Sequence, residues 1–400
     1  MTSTPLDIAR LSKALDSLPP YVFAELDRLK ADARRRGVPF DDLGIGNPDR
    51  PIPSSIIDAL QRAAADPATH GYPPFRGVPT YLESVARFMK RRFDVHIDAA
   101  SEVHALAGAK EGIAQLITAT AGNGDVVLVP EIYYPVYARA SLLAGAEVHF
   151  VPMRASSGFL VDFDAVPASV LRRARILIVN YPNNPTGAVA DRAYFERVVA
   201  FAHQHGLILV SDLAYSQITF DGFVAPSALE IPGAKDVTIE FHSCSKSFNM
   251  AGVRVGFAVG ARSLIDALAA YRTNVGYGTP TVMQAAATYA LNHYAELVPA
   301  TVAEYRARRD AMMTAFHAAG WNASPPPASM YLWLPIPEGT DDWEWVRTLI
   351  DEDGIVVTPG MAFGDGGKGY FRVSLVRDRD TLARAAATIG ARREAMLTRA

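Results

Sequence analysis

Cysteine is nearly absent: Cys244 is the only one in 400 residues. One thiol closes no internal disulfide and builds no cysteine-based zinc site, so a reducing compartment is expected, with Cys244 a small packing residue. No uncharged apolar run reaches the roughly 18 residues that a spanning helix needs. The opening stretch MTSTPLDIARLSKALDS has no apolar core of a signal peptide, so neither secretion nor membrane insertion is expected, and a cytoplasmic location is. Charge of either sign is not in excess. The 39 Lys+Arg and 42 Asp+Glu leave a formal net charge of −3, which removes any reason to invoke nucleic acid or an anionic membrane as partner. There is no internal repeat and no low-complexity tract. His203-Gln-His205 has a metal-like spacing, but it ends a helix just before Gly206; it reads as a solvated last turn, and no metal is expected.

What is present is an ordinary globular composition, half hydrophobic and a fifth charged, in a chain longer than one core comfortably serves. The spacing of Phe23, Leu26 and Leu29 predicts a helix over Tyr21–Arg36, stopped by Gly37 and ending in the solvated run Arg34-Arg35-Arg36. A short strand, Asp42–Ile45, is expected to enter the turn Gly46-Asn47-Pro48. Short apolar runs follow at Val103–Leu106, Val126–Val129, Ile176–Asn180, Leu207–Ser211, Val237–His242 and Val255–Val259. Helical periods such as Ser54–Ala65, Lys110–Ala121 and Asp191–His205 separate most of them. Uninterrupted apolar strands between helices predict an α/β fold with a mostly parallel sheet covered on both faces. Beyond about residue 284 the texture changes. Long helices (Val298–Ala319, Arg379–Thr398) flank scattered strands at Met330–Leu334, Ile355–Val357 and Phe371–Leu375. The expected division is a large domain over 51–284 and a smaller α+β domain over 285–400, which the N-terminal segment 1–50 joins.

The chemistry gathers at expected strand ends, where α/β sheets place ligands. Lys246 lies in SCSKSFNMAGVRVG (243–256), and Asp212-Leu-Ala-Tyr215 closes the run LILVSD upstream. A lysine can form a Schiff base with a carbonyl cofactor, and pyridoxal phosphate wants a carboxylate beside its ring nitrogen. Asp212 suits that partner, Tyr215 the ring hydroxyl, and Ser243 and Arg254 the phosphate. Gly108-Ala-Lys-Glu-Gly112 follows a strand and opens a helix, so its free N–H groups and dipole face an anion. Asn184, in the turn Asn180-Tyr-Pro-Asn-Asn-Pro-Thr-Gly187, can bond the ring hydroxyl, and Tyr134 can stack on the ring. The run Gly364-Asp-Gly-Gly-Lys-Gly369 looks like a phosphate loop but leads from no strand into a helix, so it reads as a mobile turn. Lys90-Arg91-Arg92 reads as the exposed end of a helix.

These motifs, with LPPYVFAEL (18–26), LGIGNPDRPIP (43–53), THGYPPFRG (69–77), ASMYLWLPIPE (328–338), TPGMAFGDGG (358–367) and FRVSL (371–375), resemble the fold-type I aminotransferases of the aspartate aminotransferase superfamily over nearly the whole chain. Within it the likeness is greatest to the group holding bacterial glutamate–pyruvate (alanine) aminotransferases and LL-diaminopimelate aminotransferases. The resemblance implies a pyridoxal-phosphate enzyme in which Lys246 carries the cofactor and moves the proton. Asp212, Tyr215, Asn184 and Tyr134 hold the ring, and Ala109, Lys110, Ser243 and Arg254 take the phosphate. Arg372 clamps the substrate α-carboxylate, helped by the Gly46 backbone and Asn184. Tyr72 reaches the neighbouring subunit's phosphate, and Tyr21 and Tyr277 line the side-chain pocket, which implies a homodimer with shared sites.

Departures bear on specificity. Ala109 replaces a frequent hydroxyl residue, so one phosphate bond is expected to be missing. Phe75 stands where plant-type diaminopimelate enzymes carry a glutamate, and an apolar residue there cannot pair a distal ammonium. No arginine for a distal carboxylate is evident, although Arg76 and Arg272 are candidates. The expected reaction is therefore transamination between an L-amino acid and a 2-oxo acid, with alanine and glutamate favoured. Diaminopimelate, aspartate or aromatic substrates are the alternative, as is a lyase or racemase on the same cofactor cage. A non-catalytic regulatory protein is disfavoured, since no helix-turn-helix segment is appended.

Overall fold

The computed structural model describes residues 12–16 and 18–398, so the reading of the opening stretch as lacking a signal peptide falls almost wholly outside it. Among the described residues the strands are β1 (Asp41–Asp42), β2 (Val103–Leu106), β3 (Val126–Pro130), β4 (Glu147–Val151), β5 (Ala174–Asn180), β6 (Ile208–Asp212), β7 (Thr238–Ser243), β8 (Gly256–Gly260), β9 (Tyr331–Pro335), β10 (Ile355–Val356), β11 (Thr358–Pro359) and β12 (Tyr370–Ser374). Seven of them build one sheet in the order β2-β8-β7-β6-β5-β3-β4. β4, β3, β5, β6 and β7 pair in parallel, while β8 runs antiparallel to both its neighbours. The reason lies in the link from β7 to β8. Between Ser243 and Gly256 it holds only a four-residue helix and one 3-10 turn, too little for the usual helical crossover.

Alternation along the strands fills two cores. Ile176, Ile178, Val210 and Phe241 face one side, under Ile113, Leu116 and Ile117 of helix Ala109–Thr120 and Ile265 and Leu268 of helix Arg262–Val275. Leu177, Val179 and Leu209 face the other, against Phe195, Val198 and Ala202 of helix Arg192–His205. Each such side chain contributes about 1.5–3 kcal/mol on burial. The strand β4 was not expected from sequence: it is an edge strand with largely exposed or half-buried residues, and EVHFV carries no apolar run.

The remaining strands sit with the C-terminal third of the chain. β11, β12 and β9 form an antiparallel sheet, and β1 pairs in parallel with β10. Their core joins Trp345, Leu349, Phe371, Phe316 and Leu382 to Leu26 of helix Val22–Arg35. Arg308, fully buried, forks onto Asp49 at 2.7 and 3.0 Å and bonds the Leu375 carbonyl, pinning the loop after β1. The strand expected over Asp42–Ile45 stops at Asp42. There the Gly44 N–H turns back to Asp42 Oδ1, and the Gly44 carbonyl accepts from the Arg372 guanidinium and the Thr358 hydroxyl instead of a strand N–H.

Three surface expectations are corrected or refined. Arg92 does not end a solvated helix: it is half-buried and donates to Gln217 and to the Ser216 and Ala225 carbonyls. In the run 364–369, Gly364 packs against Glu131 and Tyr133 and Gly366 against Glu131, with no room for a Cβ at either. His203 Nε2 meets the Gly233 carbonyl at 2.9 Å. No helix among the described residues is long and apolar enough to cross a membrane.

Candidate active site

Parallel strands deliver their C-terminal ends to one edge of the sheet. That edge carries Asn180 from β5, Asp212 from β6 and Ser243 from β7, with Tyr134 four residues beyond β3. β2, antiparallel to β8, runs the same way and leads into Gly108. The reversed strand β8 brings its N-terminal end there, which is why Arg254 arrives two residues before it. A cavity of about 650 Å³ opens at this edge, and its wall includes Tyr21, Gly46, Ala109, Lys110, Tyr134, Asn184, Asp212, Tyr215, Ser243, Lys246, Arg254 and Arg372. All the site residues expected from sequence therefore converge, with two exceptions. Tyr72 and Tyr277 stack on each other at 4.4 Å on the surface, 80% and 56% exposed, outside the cavity of their own chain.

Asp212 is buried and accepts from the Tyr137 hydroxyl at 2.6 Å and the Ala214 N–H at 3.3 Å. Burial pushes its carboxyl up to about 6, against the pull of those two donors and of His242. A carboxylate so poorly solvated gains from a cationic neighbour, which a protonated pyridine nitrogen provides. Lys246 Nζ donates to the Gly46 carbonyl at 2.5 Å. Burial, with further help from the Arg372 and Arg254 cations, lowers its pKa despite the opposing Tyr331. Gly46 has to be glycine, since a Cβ would sit 2.2 Å from the Tyr331 hydroxyl.

The anion end is built on helix Ala109–Thr120. Gly108 caps it at φ 118°, and a Cβ there would meet Arg254 Nη2 at 2.4 Å. Arg254 is itself held in left-handed backbone (φ 57°), and its Nη2 donates to both carboxylate oxygens of Glu111 at 2.9 and 3.0 Å. Helix dipole, free N–H groups, Ser243 and this guanidinium together suit a phosphate. The cavity thus has a lysine at its floor, a buried carboxylate, paired tyrosines and an anion cradle, and the set fits pyridoxal phosphate.

Arg372 is a buried charge whose acceptors are neutral. It is 3% exposed, its acceptors are the neutral Asn184 Oδ1 (2.8 Å) and Gly44 carbonyl (2.6 Å), and its Nε has no partner among the described residues. Its guanidinium lies over the Tyr331 and Phe363 rings at 4.3 and 4.7 Å. Burial lowers its pKa, opposed by the surrounding tyrosines.

Sequence reasoning missed five wall or support residues. Tyr137 holds Asp212, Asn180 Nδ2 donates to the Asp212 carbonyl at 2.7 Å, and Tyr331 meets Tyr215 hydroxyl to hydroxyl at 2.9 Å. Asp27 and Lys30 of helix Val22–Arg35 also line the cavity. Only Lys30 left a trace in the sequence: with Leu26 and Ala33 it shares the i, i+4, i+7 face that should be apolar. Arg76 and Arg272, the candidates for a distal carboxylate, are engaged elsewhere. Arg76 pairs with Asp266 and the Ala100 and Ser101 carbonyls; Arg272 bonds Gln115 and the Tyr277 carbonyl.

Fold and site together define a fold-type I pyridoxal-phosphate enzyme. The profile of the class I and II aminotransferases matches residues 40–389. An LL-diaminopimelate aminotransferase of Desulforudis audaxviator is 45% identical over 364 residues, 91% of this chain and 93% of its own length. The enzyme of that name from Moorella thermoacetica is 42% identical over 374 residues, 94% and 96% of the two chains. Among solved structures, BacF of Bacillus subtilis superposes with a TM-score of 0.92 at 35% identity, covering 96% of this chain and 99% of its own. A probable N-succinyldiaminopimelate aminotransferase of Thermus thermophilus gives 0.87 at 39% identity, covering 92% and 99%. The chain belongs to the class I and II aminotransferases and is a pyridoxal-phosphate-dependent enzyme acting on amino acids and 2-oxo acids.

Proposed function

We propose that this aminotransferase takes its amino group from an L-amino acid with a charged distal end, LL-diaminopimelate foremost, and passes it to a 2-oxo acid such as 2-oxoglutarate. The observation that carries the transamination reading is Arg372, a buried guanidinium with only neutral acceptors, in a cavity that also holds Lys246. An α-carboxylate completes its fork, and both half-reactions bring one. The bound cofactor supplies the electron sink that makes the substrate α-hydrogen acidic. Asp212 would keep the ring end polarised, Tyr215 and Asn184 would orient it, and Lys246 Nζ would take the α-proton. The Tyr331 ring under Arg372 and the apolar wall of Phe23, Leu26 and Ile45 restrict water near the reacting carbon.

The preference for alanine and glutamate expected from sequence rested on a pocket without distal charge. Asp27 and Lys30 in the wall remove that premise, and the diaminopimelate names of the relatives lend the preference no support. Two further readings go with the proposal. The stacked Tyr72, Phe75 and Tyr277 form an exposed aromatic face suited to a second copy of the chain, so that each site is finished by its partner in a cytoplasmic homodimer. The pairing of β1 with β10 and the Arg308–Asp49 fork support counting residues 1–50 with 285–400 against a large domain of 51–284.

A half-reaction screen tests the donor. Holoenzyme is mixed with single amino acids while absorbance follows conversion of the cofactor to its amine form. LL-diaminopimelate should react with a higher kcat/KM than alanine. If alanine is faster, the alanine–glutamate assignment replaces this one. Loss of substrate without the amine form would point to a lyase or racemase.

A further inference from the structure

Lysine is an unexpected residue on the inner face of helix Val22–Arg35. Lys30 falls in register with Leu26 and Ala33, and all three are buried. Its Nζ reaches Asp42 Oδ2 at 3.3 Å and Asp27 Oδ1 at 2.6 Å, two acceptors for three N–H bonds. Asp42 is fully committed: its other oxygen takes the Gly44 N–H at 2.9 Å, and the Gly44 carbonyl takes Arg372. A run of hydrogen bonds and ion pairs thus links Arg372 to Asp27, through Gly44, Asp42 and Lys30. Asp42 and Lys30 offset each other in charge. Asp27, with 68% of its side chain exposed and no ion-pair partner but Lys30 among the described residues, adds a negative group to the cavity wall.

We infer that Asp27 and Lys30 form the subsite for the distal end of the substrate, and that they recognise an ammonium and a carboxylate carried together. The distal ammonium meets Asp27, and the distal carboxylate takes the free N–H of Lys30. An i, i+3 ion pair on a helix is ordinarily a solvated ornament worth little. Here the lysine is 4% exposed and both residues line the same cavity as Lys246 and Arg372, so Lys30 is withdrawn from bulk water while Asp27 stands open to an incoming ligand. Phe75 carries no charge, and it stacks on Tyr277 outside the cavity of its own chain. The inference rests on the diaminopimelate reading and assigns the residues that enforce it.

The test compares LL-diaminopimelate with L-2-aminopimelate, which keeps the carbon chain and both carboxylates but lacks the distal amine. Single-turnover half-reactions of the holoenzyme give a saturation constant and a limiting rate for each. The wild type should favour LL-diaminopimelate by about tenfold, chiefly in the saturation constant, the effect of one added charge pair in the bound complex. Asp27→Asn, nearly isosteric and on an exposed position, should shrink that preference to about twofold or less. Lys30→Gln should raise the saturation constants of both compounds together. A tenfold preference retained in Asp27→Asn overturns the subsite while leaving the diaminopimelate reading intact. A wild type that turns over alanine but not LL-diaminopimelate overturns the underlying reading instead.

Discussion

Removing the Tyr137 hydroxyl should change how this protein holds its cofactor as a function of pH. The hydroxyl is a 2.6 Å donor to Asp212 Oδ2, and the other nearby donor, the Ala214 N–H, is longer at 3.3 Å and serves Oδ1. With both in place burial already pushes Asp212 up to about 6, so at pH 7 roughly nine-tenths of it is ionised. A hydrogen bond to a charged group contributes about 1.5–3 kcal/mol, which corresponds to about 1 to 2 pH units on the carboxyl. Tyr137→Phe should therefore place Asp212 near or above neutrality, and at pH 7 half or less of it would be ionised. Cofactor with a protonated ring nitrogen binds the ionised form, so affinity should fall on the acid side of the Asp212 pKa. The assay is an absorbance or fluorescence titration of cofactor-free protein with pyridoxal phosphate from pH 5 to 8. The acid limb of the affinity profile should move up by about 1 to 2 pH units in the variant. Superimposable profiles would refute the assignment of Tyr137 as the group that keeps Asp212 charged.

The cofactor-free protein should show the same carboxyl in its stability. A folded pKa of about 6 above an unfolded 3.8 means that the folded state binds the proton more tightly, so stability is fully present below about 4 and declines as pH rises through 6. Relative to Asp212→Asn, denaturant unfolding of the cofactor-free wild type should lose up to about 3 kcal/mol between pH 4 and 7; parallel curves for the two proteins would contradict the buried-carboxyl account. Borohydride reduction of the holoenzyme should fix pyridoxyl on the peptide holding Lys246, and Lys246→Ala should abolish turnover; label on another lysine would end that assignment. Arg372→Lys keeps the charge but loses the planar fork, so kcat/KM for any amino acid should drop by about 2 kcal/mol or more, roughly 30-fold, mostly through KM; an unchanged KM would remove Arg372 from the substrate. Mixing Lys246→Ala with a turnover-deficient Tyr72→Ala protein under subunit exchange should restore part of the activity, because one hybrid site is native; no recovery after confirmed exchange would mean that each chain completes its own site.

Two kinds of information separate here. Lys246, Asp212, Tyr215, Asn184, Ser243 and Arg254 were legible because each lies within a few residues of an apolar run, and a parallel sheet brings all such run ends to one edge. The strands themselves were legible for the same reason: full burial demands uninterrupted apolar residues, as in Val103–Leu106 and Ile176–Asn180. β4 escaped because an edge strand is free of that demand.

What the chain could not disclose in one dimension is which distant side chains meet. Tyr137 and Tyr331 carry no local mark of function; they matter because their hydroxyls land 2.6 and 2.9 Å from Asp212 and Tyr215. Arg76 and Arg272 looked available for a distal carboxylate until Asp266, Gln115 and backbone carbonyls were seen to take them. Specificity moved most. Local context sets the cofactor cage, because each of its members is placed by its own strand end. The wall that carries Asp27 and Lys30 is decided by how helix Val22–Arg35 packs, a matter of contacts between segments hundreds of residues apart, and that packing brings a lysine and an aspartate of one helix into the wall of the cavity that holds Lys246 and Arg372.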